Sequence, residues 1–278
     1  MAPGIQDSVL SAAVLTEEQE QASPAKRRPL SLFHHSLVTS DMDALKFHAA
    51  ASLQLRFSPH QDINSPAESK SNSKSDPQAH SLIASPYNSA LHLLNLQSLD
   101  TPNRLLAQAL TILHPVRDDY ATAPYADSFN WSSVFAFLRD LSIREGHVWS
   151  RTRFYVVVFR STLLAGADGD RLHELDARSH QEAVASGGLL KYWFGTKNGR
   201  RENLATCKSS FVFFLDGGVD WVGLWRSRED AHRGGTGPWH RRARGAAREL
   251  YEKIVFTTME LVVGDEVGEW TFGEWTDY

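Results

Sequence analysis

Residues 154–275 read as an α+β domain of ferredoxin-like order, β-α-β-β-α-β. Three observations predict it. Apolar runs of strand length recur, rich in β-branched and aromatic residues. Two amphipathic helical stretches with start and stop signals separate them. An Asn-Gly pair marks a hairpin in the middle of the order. Order and spacing together give an antiparallel sheet with both helices on one face, a sandwich of the dimeric α+β barrel type, preceded by a strand and two helices and by a disordered N-terminal region.

The first strand is Phe154 to Ser161 (FYVVVFRS). Its faces are almost equally apolar, Phe154, Val156 and Val158 on one and Tyr155, Val157 and Phe159 on the other, so both are expected to be covered. After Ala165 to Gly169 breaks the chain, Asp170 is a plausible cap for a helix running to about Ser186, stopped by Gly187 and Gly188. Leu172, Leu175, Ser179 and Ala183 form its apolar stripe. Leu189 to Phe194 is the second strand, and Asn198-Gly199 turns the chain into a third strand at Asn203 to Cys207. That strand resumes at Leu224 to Ser227. Ser227 and Asp230 have capping-box spacing, with Asp in place of the usual Glu. Pro238 suits the first position of a second helix, expected to reach Ile254, with Trp239, Ala243, Ala246, Ala247, Leu250 and Tyr251 inward and Arg241, Arg242, Arg244, Arg248 and Lys253 outward. Val255 to Val263 and Glu269 to Trp275 are the last strands.

Residues 208–223 (KSSFVFFLDGGVDWVG) interrupt the third strand, whose halves fit together better without them. Codons for Cys-Lys-Ser can spell the splice donor GTAAGT, and those for Val222-Gly223 can supply an acceptor ending in TAG. Removing what lies between takes out roughly sixteen codons, keeps the frame and rebuilds a Cys or Trp codon at the join, as for a retained intron to be set aside from fold reasoning. The alternative is a real hairpin extension, Phe211 to Leu215 turning at Asp216 to Gly218 into Val219 to Trp225.

Ahead of this unit, Ala90 to Leu99 is expected as a strand. Thr101-Pro102 starts a helix with Leu105, Leu106, Ala109, Leu110 and Leu113 inward, ended by Pro115. Asn130 to Arg144 forms another helix, closed by Gly146. These elements are expected to join residues 85–278 in a single domain and to cover part of the sheet face that the two helices leave bare. Residues 1–84, rich in Ser, Ala, Gln, Asp and His, are expected to be mostly disordered, with one short amphipathic helix at Asp41 to Phe57.

Composition limits the function classes. A formal charge of −4 over 278 residues gives no support to nucleic-acid binding. No apolar run approaches the ~20 residues of a membrane span, and Glu17, Glu18 and Glu20 argue against a transit peptide. A single cysteine excludes an internal disulfide and suits a reducing compartment. The cytosol is the expected location, with Lys26 to Pro29 a weak alternative nuclear address.

Chemistry candidates are few. His173 and His180 stand seven apart, whereas a shared metal needs a spacing of three or four on a helix, so they read as ordinary histidines. The Gly-rich loop Arg233 to Gly237, flanked by His232 and His240, leads into a helix N-terminus and has the form of an anion cradle, though it lacks a phosphate loop's lysine and spacing. Residues 167–170 carry too few acids for calcium, and Asp118-Asp119 reads as a turn. Cys207 reads as a structural thiol. Nothing calls for a cofactor or a metal. The sharpest functional expectation is an aromatic-walled pocket on the bare face, with Trp193, Trp225, Trp270 and Trp275 as walls and Arg160, Arg226 and Tyr192 orienting a planar organic ligand.

Several motifs carry a resemblance: YVVVFRS at 155–161, GLLKYWFG at 188–195, NLATC at 203–207, WRSREDA at 225–231, PVRDDYATAPY at 115–125 and SFNW at 128–131. Across residue 87 to the end the chain resembles an uncharacterised fungal protein family of the UPF class. That resemblance implies no activity and no catalytic residues. Its members run directly from the position of Cys207 into the Trp225 motif, which favours the retained-intron reading. More distantly, the element order and the WRSREDA helix start look like the dimeric α+β barrel proteins, which include cofactor-independent monooxygenases of polyketide biosynthesis; the likeness is one of fold and carries no function. Two readings stay open. One is a homodimeric protein binding or converting a small aromatic metabolite. The other is a non-catalytic module whose bare face is a dimer or partner interface. Neither involves nucleic acid or a membrane.

Overall fold

The computed structural model describes residues 80–87, 89–195, 197–206 and 223–276. The expected disordered stretch up to residue 79, the helix at Asp41 to Phe57, Cys207 and nearly all of the interruption lie outside them. What is described is an α+β fold built on an antiparallel sheet.

Strand β3 (Thr152–Leu163) is the axis of the sheet. Residues 154–159 are all buried, because each face of this two-sided apolar strand is covered by a separate layer. Along one edge it pairs over its whole length with β8 (Tyr251–Val263), which pairs in turn with β9 (Trp270–Glu274). Its other edge is shared by β6 (Glu202–Thr206) and β7 (Leu224–Trp225), lying end to end. Outside those lie β5 (Trp193–Phe194) on β6 and β4 (Leu189–Lys191) on β7. Every neighbouring pair is antiparallel.

On the first face lie α4 (Gly169–Ser186), α5 (Arg228–Gly234), α6 (Pro238–Gly245) and the short α7 (Ala247–Leu250). Tyr155, Val157, Phe159, Leu175, Ala183, Tyr192, Trp225, Ala243 and Leu250 form the core between helices and sheet. The second face is not bare. Preceding it in the chain are α1 (Thr101–Ala109), the single turn α2 (Tyr125–Ser128) and α3 (Trp131–Glu145). From these elements Phe135 packs on Trp270 with centroids 4.7 Å apart, Trp131 on Phe272 at 4.8 Å, and Phe129 on Trp193 at 5.2 Å. The chain covers its own sheet on both sides, as the expectation for the preceding segment allowed.

Several local expectations are corrected. Ala90 to Leu99 is not a strand. Only β2 (Leu94–Asn95) pairs, with β1 (Ser81–Leu82), between two 3₁₀ turns at Ala90–His92 and Leu96–Ser98. Asn95 causes the second turn, its side chain accepting from Gln97 N at 3.0 Å and competing with extended pairing. The last helix does not reach Ile254. It stops at Leu250, and Tyr251 begins β8, because residues 251–254 find partners in Leu163, Thr162 and Ser161. The caps of α4 and α1 are Asp168 and Asp100, each accepting from the backbone N–H three residues on, rather than Asp170 and Thr101. The second strand is split by an irregularity that turns consecutive side chains to new faces. Ser227 does cap α5, accepting from Asp230 N at 3.1 Å. Among the described residues no helix is long and apolar enough to cross a membrane.

Candidate functional site

The five residues expected to line one pocket are divided between the faces. Tyr192 and Trp225 point into the helix-covered core. Trp193 lies on the opposite face, edge-on to Tyr120 and Phe129. Arg160 is also on that face, where Nη1 and Nη2 donate to the carbonyls of Ala121 and Ala123 at 2.8 and 2.6 Å. Half-burial lowers its pKa, and its role is to hold a loop closed. Arg226 makes a two-pronged ion pair with the buried Asp230, at 2.7 and 2.9 Å, and Arg233 reaches the same carboxylate. The arrangement supports the start of α5. These side chains do not converge on one space.

A different set does converge. Asp176, on the buried side of α4, accepts from two phenols: Tyr192 Oη at 2.6 Å to Oδ1 and 2.5 Å to Oδ2, and Tyr87 Oη at 2.5 Å to Oδ2. One helical turn on, His180 lies 4.7 Å from the Tyr192 ring. His180 Nδ1 is 2.7 Å from Nδ1 of His92, which comes from the 3₁₀ turn after Tyr87. The ring of Tyr87 stacks on His92 at 4.6 Å. Gln181 Nε2 lies 3.2 Å from His92 Nε2. An amide N–H only donates, so His92 Nε2 accepts, His92 Nδ1 carries the proton and donates to His180 Nδ1, and His180 keeps its proton on Nε2. One directed chain, Gln181 to His92 to His180, fits both rings in their neutral form.

Charge states follow from burial. His180 is held well below the ordinary imidazole range, first by burial and then by the neighbouring His92 and His240. His92 is lowered by burial and by His173, against the pull of Asp176. Tyr251, buried nearby, is pushed up by burial and by the Asp176 charge. Asp176, His180, His92 and Tyr192 are each at most 5% exposed. Tyr87 is half-buried, Phe194 packs on it at 6.2 Å, and the exposed His173 approaches its ring at 5.7 Å. The cluster therefore reaches toward solvent on that side. The segment bearing Tyr87 is tied down by Tyr192 N donating to Ala84 O at 2.8 Å.

The loop read as an anion cradle meets an anion supplied by the chain. The Glu182 carboxylate accepts from Trp239 N and His240 N at the start of α6 (2.8 and 3.1 Å) and from His240 Nδ1 at 2.7 Å. Burial brings His240 down to about 4 despite that contact. Trp239 is flanked by the guanidinium groups of Arg242 and Arg178, at 4.5 and 5.5 Å. On the other sheet face Lys191 is fully buried, which pulls its amine well below the usual lysine range. Among the described residues no group of three or more His, Cys, Asp and Glu side chains is placed to hold a metal ion.

Fold and cluster define an α+β domain with a polar, proton-bearing set held between a sheet and its helices. The chain belongs to the PB2B2.08-like family, whose model matches residues 83–211 and 221–274 and leaves 212–220 without a counterpart. One relative is UPF0643 protein PB2B2.08 of the fission yeast Schizosaccharomyces pombe, 34% identical over 188 residues that make up 65% of this chain and 78% of that protein. The fungal kinship expected from the motifs is thereby supported. No solved structure matches the chain.

Proposed function

We propose that the domain binds a small planar organic molecule beside Tyr87 and exchanges a proton with it through the Asp176 cluster. One observation carries this reading. Two phenols, a carboxylate and two neutral imidazoles, brought together from the Tyr87–His92 segment, α4 and the second strand, are gathered between the sheet and its helices. Titratable groups with burial-shifted protonation concentrate at functional sites more than in ordinary cores. Tyr87 is half-buried on the open side of the cluster with Phe194 beside it, an aromatic surface that suits a planar ligand. Tyr87 donates to Asp176, so a proton that a ligand gives to the Tyr87 oxygen is matched by the phenol proton passing to the carboxylate. The strand order supports a ferredoxin-like frame of the dimeric α+β barrel type: β8, β3, the β6–β7 pair and the β4–β5 pair lie in the sequence that two interleaved β-α-β units produce. The reading keeps the ligand class expected from sequence and moves it to the opposite sheet face. The lone cysteine fits a cytosolic setting.

The test is native mass spectrometry of the full chain and of a variant lacking residues 208–223, each purified gently from a fungal host. A bound organic mass that Tyr87→Ala abolishes is the expected result; a protein that is always empty rejects the reading. A second reading, a non-catalytic homodimer, is favoured by the outer edge of β8. From Glu252 to Thr257 no strand pairs with it among the described residues, and Val255 is 40% exposed. The same spectra report subunit number, and an empty dimer favours this second reading.

A further inference from the structure

We infer that sixteen residues between Thr206 and Leu224 are an insertion into one continuous strand, and that the functional chain lacks them. The register carries the inference. Phe159 of β3 faces Ala205. In an antiparallel pair each step back along β3 is one step forward on its partner. Val156, three steps back, should therefore face position 208, yet it faces Leu224. The offset is sixteen residues, with no residue left over. The strand on the other side repeats it. Trp193 faces Thr206, so Lys191, two steps back, should face position 208, and it too faces Leu224. Two independent neighbours thus read β6 and β7 as halves of one strand, broken at one slot.

That slot lies opposite Val157. Gly223 fills it, its carbonyl accepting from Val157 N at 2.8 Å, although continuous numbering from Ala205 would assign the slot to Cys207. Two residues claim one position. The codon reading resolves this. Excision from within the Cys207 codon to within the Gly223 codon removes sixteen codons and leaves one rebuilt residue, Cys or Trp, at the join. The codons permitted for Cys207 to Ser209 and for Val222-Gly223 allow splice sites at this joining point, and a cut between them would have the length of the register offset. The family match is broken inside this stretch: it leaves 212–220 unmatched, nine of the residues concerned. The break also lies beside the candidate cluster, because Tyr192 sits between the pairings of Lys191 and Trp193. An uninterrupted strand would hold Tyr192 from the side that is now split.

Two measurements test the inference. The first is amplification of the mature transcript across codons 200–230 in the organism that encodes the chain. The expected major product is sixteen codons shorter than the 278-residue reading frame, with TGT, TGC or TGG at the join. A major product of full length overturns the inference. The second compares the full chain with a variant lacking 208–223. The shorter protein should unfold cooperatively with a midpoint at least about 5 °C higher, and amide exchange at Tyr192 and Trp193 should slow at least tenfold. A shorter protein that is unfolded, or melts lower than the full chain, counts against it.

Discussion

The Tyr192 hydroxyl stands 2.6 and 2.5 Å from the two oxygens of Asp176, so a single phenol straddles the carboxylate while Tyr87 approaches one of the same oxygens from the partly open side. The acid is thus held by an inner donor sealed in the core and an outer donor nearer solvent. The inner bond is the stability element and the outer one is the candidate contact with a ligand.

Tyr192→Phe should cost about 1–3 kcal/mol, since it removes a fully buried donor from the carboxylate. Tyr87→Phe should cost less, because water can replace its hydroxyl. Urea unfolding of both single variants, Asp176→Asn and the double variants gives the coupling energies. The Tyr192–Asp176 coupling should be the larger.

Stability should fall as pH drops below about 6.5. The pKa values of His92, His180 and His240 are depressed in the fold, so between those lowered values and 6.5 the unfolded chain binds more protons than the native one. Their contribution is complete above 6.5 and is lost as pH falls. Melting temperatures from pH 8 to pH 5 check this. A His180→Gln variant should show a shallower decline.

Lys191 predicts the opposite end of the scale. Its depressed pKa means the unfolded chain holds a proton that the native state sheds or carries at a cost, so stability should rise between pH 7 and pH 9. Lys191→Met should flatten that rise and leave the protein at least as stable at pH 7. Urea midpoints at the two pH values decide it.

Gly188→Ala should destabilise by about 2–4 kcal/mol. Its φ is +82°, and a Cβ there would stand 2.6 Å from Asp230 Cγ, against the carboxylate that anchors Arg226 and the α5 cap. Circular dichroism should show a lower melting point with native secondary structure at 20 °C.

Much of the framework was legible in the sequence, and the reasons are local. The two-sided apolar run in β3, the Ser227 cap and the Gly146 stop act within a few residues, so composition and spacing reveal them. The site was not legible in the same way. Asp176 and His180 lie on the Leu172, Leu175, Ser179, Ala183 side of α4, and polar residues recurring in an apolar stripe were the one available signal. Their partners Tyr87 and His92 come from nearly ninety residues upstream, His92 from a segment that reads as a strand and folds as turns. The expected pocket failed to assemble for a related reason. The irregularity between Leu189 and Lys191 decides which of Tyr192 and Trp193 faces the helices, and simple alternation does not contain it.

The most direct test sets the Asp176 cluster against the pocket first expected around Arg160. Native mass spectra of the gently purified chain lacking residues 208–223 as parent, and of its Asp176→Asn and Arg160→Met variants, should be compared, each after its fold is confirmed by circular dichroism. The account predicts a bound organic molecule in the parent and in Arg160→Met, and its loss or at least tenfold reduction in Asp176→Asn. Retention in Asp176→Asn with loss in Arg160→Met would contradict it.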